Sequence, residues 1–186
     1  ASKYRSWVLR DRQICDLEMI LNGGFAPLNG FLNKDDYENV LNEMRLSDGS
    51  VWPMPITLDV NQEFSKLISI GDRITLKDKE GFSIAILEVE DNWEPDLLKE
   101  SELVFGTKDL SHPSADYLQN HSNDFYIGGK VELIDLPHHY DYKNLRDSPK
   151  HLKQKFKDLG WDNIVAFQTR NPLHKAHVEM TLKALK

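Results

Sequence analysis

The spacing of hydrophobic positions in the first part of the chain is helical. From Asp11, apolar residues recur at helical spacing up to Gly23-Gly24, a pair that suits the end of a helix. A second helix is predicted after Asn33, whose side chain can cap its first turn. The predicted buried faces are Ile14, Leu17 and Leu21 in the first helix and Tyr37, Val40, Leu41 and Met44 in the second.

The pattern then becomes extended. Residues 47–60 contain an Asp-Gly turn and two prolines, which favours an edge strand or a bulged segment. Residues 71–93 give the clearest hairpin, with apolar positions on both sides of a charged turn that ends at Gly81. Residues 124–137 predict a further strand pair or bent strand, in which Gly128-Gly129 marks a bulge or tight bend. The apolar hairpin positions are Ile74, Leu76, Phe82, Ile84, Ile86 or Ala85, Leu87 and Val89.

A different pattern begins after residue 143. A helix is predicted from Ser148 to Gly160, with Pro149 in its first turn. Residues 164–167, IVAF, are wholly apolar, which is typical of a strand buried on both faces of a parallel sheet. Helical propensity returns from His174. The predicted fold class is therefore α+β to α/β: a β-rich, barrel-like domain over residues 1–143, and the incomplete beginning of a doubly wound α/β domain over residues 144–186.

Charge and composition narrow the class of protein. The 186 residues carry a formal net charge of −7, which argues against a general surface for nucleic acid or anionic membranes, because such surfaces need clustered Lys and Arg. No apolar run approaches the ~18 residues of a membrane span, and residues 1–13 lack the apolar segment of a signal peptide. The single cysteine, Cys15, is predicted to be a small core residue in a reducing compartment. We therefore expect a cytoplasmic protein.

The most unusual stretch is the polar loop, residues 168–177, which has the sequence QTRNPLHKAH. In open α/β sheets, ligands bind beyond the carboxyl ends of the strands, where the next helix offers free N–H groups and a partial positive charge. If that helix begins near Pro172 or Leu173, His174 and His177 lie one turn apart on one face. The loop also carries Gln168, Thr169, Arg170, Asn171 and Lys175 as donors. The pattern predicts a site for a polyanion.

The sequence allows two other interpretations of the paired histidines. Two histidines are too few ligands for a closed zinc site, and Glu179 or Asp162 would have to complete it, so no metal ligand is assigned. The histidines could also belong to a plain helix N-terminus, but the neighbouring Gln168, Arg170 and Asn171 argue for a ligand.

The polar loop and three other stretches resemble the ATP sulfurylase (sulfate adenylyltransferase) family. The stretch VAFQTRNPLHKAH is similar to that family's phosphate-binding motif, Gln-x-Arg-Asn-Pro-x-His-x-x-His, a variant of the paired-histidine motif of Rossmann-like nucleotidyltransferases. Family segments are also similar to MILNGGFAPLNGFL, LSDGSVWPMPITLDV and YIGGKVELIDLPHHYDY. The resemblance covers essentially the whole chain, and it implies a PUA-like β-barrel domain followed by the beginning of a Rossmann-like nucleotidyltransferase domain.

The resemblance also implies a reaction, in which sulfate attacks the α-phosphate of ATP with Mg²⁺ present and yields adenosine 5′-phosphosulfate and pyrophosphate. This is the first step of sulfate assimilation, or its reverse in sulfur oxidation. Because sulfate is already a dianion near neutral pH, charge compensation and in-line alignment must supply the catalysis. By resemblance, sulfate is bound by Gln168 and Arg170; ATP by Gln168, Asn171, His174 and His177; and the catalytic residues are Thr169, Arg170 and Asn171.

This sequence departs from the family pattern in three ways. Leu173 replaces the usual Met, and Lys175 replaces the usual Arg, which keeps the charge but loses the planar fork. The family's later Gly-Arg-Asp-His-Ala segment does not occur. We therefore expect residues 1–186 alone to form no adenosine 5′-phosphosulfate or only traces. We also expect the full-length form to be a homo-oligomer. The alternatives are another paired-histidine adenylyltransferase, or a PUA-like RNA-binding module, which the acidic balance disfavours.

Overall fold

The computed structural model of the protein describes residues 3–185. Backbone contacts divide the chain into two compact units, a first unit of residues 1–148 and a second unit of residues 149–186. The domain boundary expected between residues 143 and 144 stays a prediction.

The first unit is built on one six-stranded mixed sheet. Its strands are β1 (Arg5–Val8), β2 (Gly30–Phe31), β3 (Leu58–Val60), β4 (Arg73–Lys77), β5 (Ser83–Trp93) and β6 (Phe125–Leu133). Their order is β1-β4-β5-β6-β2, and β3 also pairs with β6. Only the β1–β4 pair is parallel among these strands. A barrel requires pairing between the first and last strands. Within the described chain β1 and β2 end this order without pairing, so the sheet is open and the predicted barrel is not formed.

The helices of the first unit lie in the segments that connect the strands of this sheet. They are α1 (Asp11–Leu21), α2 (Lys34–Glu43), α3 (Gln62–Lys66), α4 (Leu97–Phe105) and α5 (Pro113–Asp116), followed by a π-helical turn (Tyr117–His121) and a 3-10 turn (Lys143–Leu145). The predicted cap of α2 is confirmed, because the Asn33 side-chain oxygen accepts a hydrogen bond from the Asp36 N–H at 2.9 Å.

Two side chains predicted to be buried are exposed instead. Met44 was assigned to the buried face of α2, but it follows the last helical residue with φ 53°, and it is 59% exposed. The left-handed backbone at this position ends the helical periodicity, so the side chain leaves the apolar face. Cys15 was predicted to be a core residue, but it is free and exposed on α1, where Leu17 and Ile20 fill the inward positions.

The main hydrophobic core lies between the sheet and α1. It contains Leu17 of α1 and the inward residues of the central hairpin, which confirms the hairpin predicted from the alternating pattern. The buried hairpin residues are Ile74, Leu76, Ile84, Leu87 and Val89. Phe82 is 72% exposed, because it lies in the turn before β5 rather than in the strand. A smaller cluster around Tyr37, Val40 and Tyr126 joins α2 to β6.

The two adjacent glycines of β6 lie opposite a bulge. The sequence predicted a bulge or tight bend at the glycines themselves, whereas the bulged strand is β5. Val89 pairs with Gly129 and Asp91 pairs with Gly128, so Glu90 is the extra residue and the bulge is on β5. Gly129 has φ 151°, and a Cβ atom there would lie 1.9 Å from the carbonyl oxygen of Glu88. A Cβ atom on Gly128 would lie 2.3 Å from the carbonyl oxygen of Leu32. The backbone therefore approaches both positions too closely for a side chain.

The second unit contains α6 (Pro149–Asp158) and α7 (Lys175–Ala184). Residues 164–167, predicted to be a buried parallel strand, are not a strand in this structure. A strand is held by hydrogen bonds to neighbouring strands, and the described residues of this unit provide none. None of the helices within residues 3–185 combines the length and apolar character needed to cross a lipid bilayer.

Candidate functional site

The polar loop leads into α7 and includes the first residues of this helix. This helix begins at Lys175, with the extended residue His174 as its N-cap, rather than at Pro172 or Leu173 as predicted. His174 has φ −128° and ψ 172°, so its backbone is extended and the helical conformation starts only after it. The N–H of His177 donates to the His174 carbonyl oxygen at 2.9 Å. Because no described side chain caps α7, the N–H groups of Lys175 and Ala176, the first two residues of the helix, are available to an anion.

The two histidines of the polar loop lie in contact. The rings of His174 and His177 stack with centroids 3.7 Å apart and an interplanar angle of 28°. The ring of Phe167 also contacts the His177 ring, with centroids 5.3 Å apart. Nδ1 of His177 is buried and has no hydrogen-bond partner among the described residues, whereas His174 is exposed. Sequence reasoning predicted the proximity of the histidines but missed the contribution of Phe167, for which only its position next to the loop gave a signal.

Thr169 fixes the turn that precedes the helix. Its hydroxyl oxygen accepts a hydrogen bond from the Asn171 N–H at 3.0 Å, and its hydroxyl lies 3.1 Å from the Asn171 carbonyl oxygen, to which it can donate. These local bonds hold residues 169–171 in a compact turn. Arg170 occupies the middle of this turn and is exposed.

The other donors of the loop remain available. The side chains of Gln168, Arg170 and Lys175 make no hydrogen bond or ion pair with any described residue. The second unit has eight Lys and Arg against three Asp and Glu over residues 149–186, whereas the chain as a whole has a net charge of −7. The loop therefore combines unpaired donors, a free helix N-terminus and a local positive charge, which together suit an anionic ligand.

A buried carboxylate in the first unit was also missed by sequence reasoning. Glu100 on α4 is 5% exposed, and its Oε2 accepts hydrogen bonds from the hydroxyls of Tyr37 and Tyr126, both at 2.9 Å. Burial raises the pKa of Glu100, and the two hydroxyl hydrogen bonds only partly oppose this. Burial likewise raises the pKa of both tyrosines. Glu100 also lines a cavity of about 40 Å³, together with Arg12, Asp16 and Asp59.

The side chains that could bind a metal ion do not come together within residues 3–185. Residues 3–185 contain no cluster of three or more His, Cys, Asp or Glu side chains that could hold a metal ion. Glu179 and Asp162 thus do not complete a zinc site with His174 and His177.

Comparison with known proteins finds a family match for each part of the chain. A family profile described as PUA-like domain matches residues 1–136, and one described as ATP-sulfurylase matches residues 143–186. Sulfate adenylyltransferases of Eremothecium gossypii and Phaeosphaeria nodorum are each 50% identical to the chain, over 97% and 99% of it. The enzyme of that name from Saccharomyces cerevisiae is 49% identical over 96% of the chain.

The matches cover only part of these relatives. They extend over 36%, 33% and 35% of the three sulfate adenylyltransferases, so the chain spans about a third of their length. A solved structure, the hexameric APS kinase from Thiobacillus denitrificans, superposes with a TM-score of 0.75 at 32% identity, covering 99% of this chain and 32% of that one. The chain belongs to the PUA-like domain family through residues 1–136, and nearly its whole length is similar to the N-terminal third of sulfate adenylyltransferases.

Proposed function

We propose that this chain is part of a sulfate adenylyltransferase, which joins sulfate to the α-phosphate of ATP and releases pyrophosphate. The observation that carries the proposal is the uncapped start of α7 beside the stacked pair His174 and His177. Free amides and two imidazoles in a locally cationic unit match the charge of a triphosphate. The similarity to sulfate adenylyltransferases at about 50% identity supports the same activity.

The sulfate would be bound by Arg170 and Gln168. The planar guanidinium of Arg170 can donate two parallel N–H bonds to two oxygens of the sulfate, which fixes the orientation of the anion as well as its position. Gln168 adds a neutral donor. Because sulfate needs no deprotonation, these two residues contribute by holding it in line with the α-phosphorus.

The triphosphate would be bound by Asn171, His174 and His177, with Gln168 also in reach of ATP. Donors at the start of α7 stabilise the negative charge that grows on the leaving pyrophosphate. Thr169 acts through its turn, which sets the directions of Arg170 and Asn171. The Mg²⁺ that accompanies ATP lowers the charge of the triphosphate, and no protein ligand to it is assigned.

The remaining proposals concern the rest of the protein. Residues 144–186 would begin a Rossmann-like nucleotidyltransferase domain, which the ATP-sulfurylase profile over residues 143–186 supports. The full-length form would be a homo-oligomer, which the hexameric state in the name of the Thiobacillus denitrificans structure supports. Its substrates and products would be ATP, sulfate, adenosine 5′-phosphosulfate and pyrophosphate. It would bind neither nucleic acid nor a membrane.

An Arg170→Ala change tests the proposed function in protein expressed from the complete open reading frame. ATP formation from adenosine 5′-phosphosulfate and pyrophosphate should fall ~100-fold in kcat/KM, because a preorganised cationic donor to the reacting sulfate is lost. Arg170→Lys should recover part of this loss, since it restores the charge without the fork. The assay is coupled detection of ATP.

Lys183→Ala is the matched control, because Lys183 is an exposed cation on α7 outside the polar loop. It should leave the rate unchanged. Equal rates for wild type and Arg170→Ala would contradict the sulfate assignment. ATP formation that accepts an acyl-adenylate but not adenosine 5′-phosphosulfate would instead favour another paired-histidine adenylyltransferase.

A further inference from the structure

The ring of His177 has two unlike nitrogen environments. Nδ1 is shut off from solvent and has no hydrogen-bond partner within residues 3–185. The same ring contacts His174 at 3.7 Å and Phe167 at 5.3 Å between centroids. Since Nδ1 is shielded from solvent, Nε2 is the nitrogen left for this ring to reach a ligand.

This burial decides where a neutral His177 carries its proton. A neutral imidazole has one N–H donor and one acceptor nitrogen. A proton on Nδ1 would leave a buried N–H without an acceptor, a rarer and costlier arrangement than an acceptor left unpaired. The partial positive charge at the start of α7 also favours a lone pair over an N–H at the buried position. Both arguments place the proton on Nε2.

Phe167 is the side chain that can hold the ring in this orientation. It lies directly before the polar loop, and its ring is tilted 49° from that of His177 at a separation typical of aromatic pairs. Its side chain is exposed, and it belongs to a segment without regular secondary structure. A rotation of the His177 side chain would have to displace this contact and the stacked ring of His174.

We propose that Phe167 is a positioning residue that holds the His177 ring in the orientation in which its Nε2–H donates to a phosphate oxygen of ATP. This inference rests on the proposed function, because the acceptor is the triphosphate of that reaction. Phe167 touches no reacting atom; it acts through the imidazole. The donated hydrogen bond strengthens as negative charge moves onto the leaving pyrophosphate.

The position of the proton can be measured without substrate. Magic-angle-spinning ¹⁵N NMR of the histidine-labelled full-length protein reports which ring nitrogen carries hydrogen, and a His177→Gln variant assigns the signals. We expect Nε2–H in the wild type and in Phe167→Tyr, which keeps the ring. Phe167→Leu should give a mixture of tautomers. A proton on Nδ1 in the wild type would overturn the inference, and this holds even if Phe167→Leu fails to fold.

Kinetics supply the second readout. Phe167→Leu should lower kcat and kcat/KM for ATP together by ~10-fold, because misplacing a donor weakens an interaction made in the transition state. Phe156→Leu is the matched control, since Phe156 stacks on Trp161 in the same unit with centroids 6.1 Å apart and has no recorded ring contact with either described histidine. This control and Phe167→Tyr should stay within ~2-fold of the wild-type rate. Identical spectra and rates for Phe167→Leu and Phe156→Leu would contradict the positioning role.

The two readouts separate this inference from the proposed function. A wild-type protein that forms no ATP from adenosine 5′-phosphosulfate would contradict the proposed function, and with it the donation to ATP. An active wild-type protein with its His177 proton on Nδ1 would contradict the present inference alone.

Discussion

Replacing Gly129 with Ala is expected to prevent stable folding of the first unit, with a loss of at least about 4 kcal/mol in the free energy of unfolding. The new Cβ would lie 1.9 Å from the Glu88 carbonyl oxygen, which belongs to the paired strand β5. Neither backbone can move away without breaking the ladder between β5 and β6, which lie at the centre of the sheet. The φ of 151° adds conformational strain for any side chain. Urea denaturation followed by circular dichroism measures the loss.

Gly81→Ala is the matched control for this prediction. Gly81 also has a positive φ, 90°, but no atom lies within 4 Å of a Cβ built there. Its replacement should cost about 1–2 kcal/mol from the backbone conformation alone. Equal destabilisation by the two changes would show that close approach of the strands is not the cause.

Truncating the buried carboxylate, Glu100→Ala, is expected to lower the free energy of unfolding by about 4 kcal/mol. The hydroxyls of Tyr37 and Tyr126 would lose their shared acceptor inside the core, at about 1–3 kcal/mol each, and the deleted side chain would enlarge a cavity. Glu100→Gln keeps an oxygen acceptor and removes the charge, so it should be at least as stable as the wild type at neutral pH. Retained wild-type stability in Glu100→Ala would contradict the role of the carboxylate.

The same residue gives a pH dependence with a defined sign. Because burial raises the pKa of Glu100, the folded state holds this proton more tightly than the unfolded state does. Its stabilising contribution is full below the unfolded pKa of about 4.3 and is lost as the pH rises through the folded pKa. The free energy of unfolding of the wild type minus that of Glu100→Gln should therefore decrease between about pH 4.5 and neutral pH. A difference that grows with pH would contradict this assignment.

Local signals in the sequence predicted several of the elements, whereas α3, α4, α5 and the long-range pairing of the strands were not predicted. The Asn33 cap and the β4–β5 hairpin each depend on residues close together in the chain, and both were predicted. The parallel pairing of β1 with β4 joins segments far apart and leaves the sheet open, which alternation cannot indicate. Residues 164–167 have the apolar pattern of a strand but do not form one. Such a pattern gives a strand only where neighbouring strands exist to pair with it.

The candidate site shows the same limit. The residues of the polar loop could be identified from their types and spacing, because the chemistry of anion binding restricts both. The stacking of His174 on His177 and the contact with Phe167 depend on side-chain orientations that no spacing rule specifies. Glu100 lies between Lys99 and Ser101 in a helix that also carries apolar residues, and its burial depends on the packing of α4 against Tyr37 and Tyr126.

The aromatic cluster around Glu100 includes a tryptophan whose fluorescence can be measured. Trp93 lies 5.6 Å from the ring of Tyr37 and 5.7 Å from that of Tyr126, and its indole N–H is buried without a described partner. An indole shielded from water in this way emits at short wavelength, and the two tyrosines at this separation transfer their excitation to it. Because both phenols hydrogen-bond the Glu100 carboxylate, the gain or loss of its charge alters the electric field at Trp93. The protein thus carries an intrinsic fluorescent reporter of the ionisation of its one buried glutamate within residues 3–185.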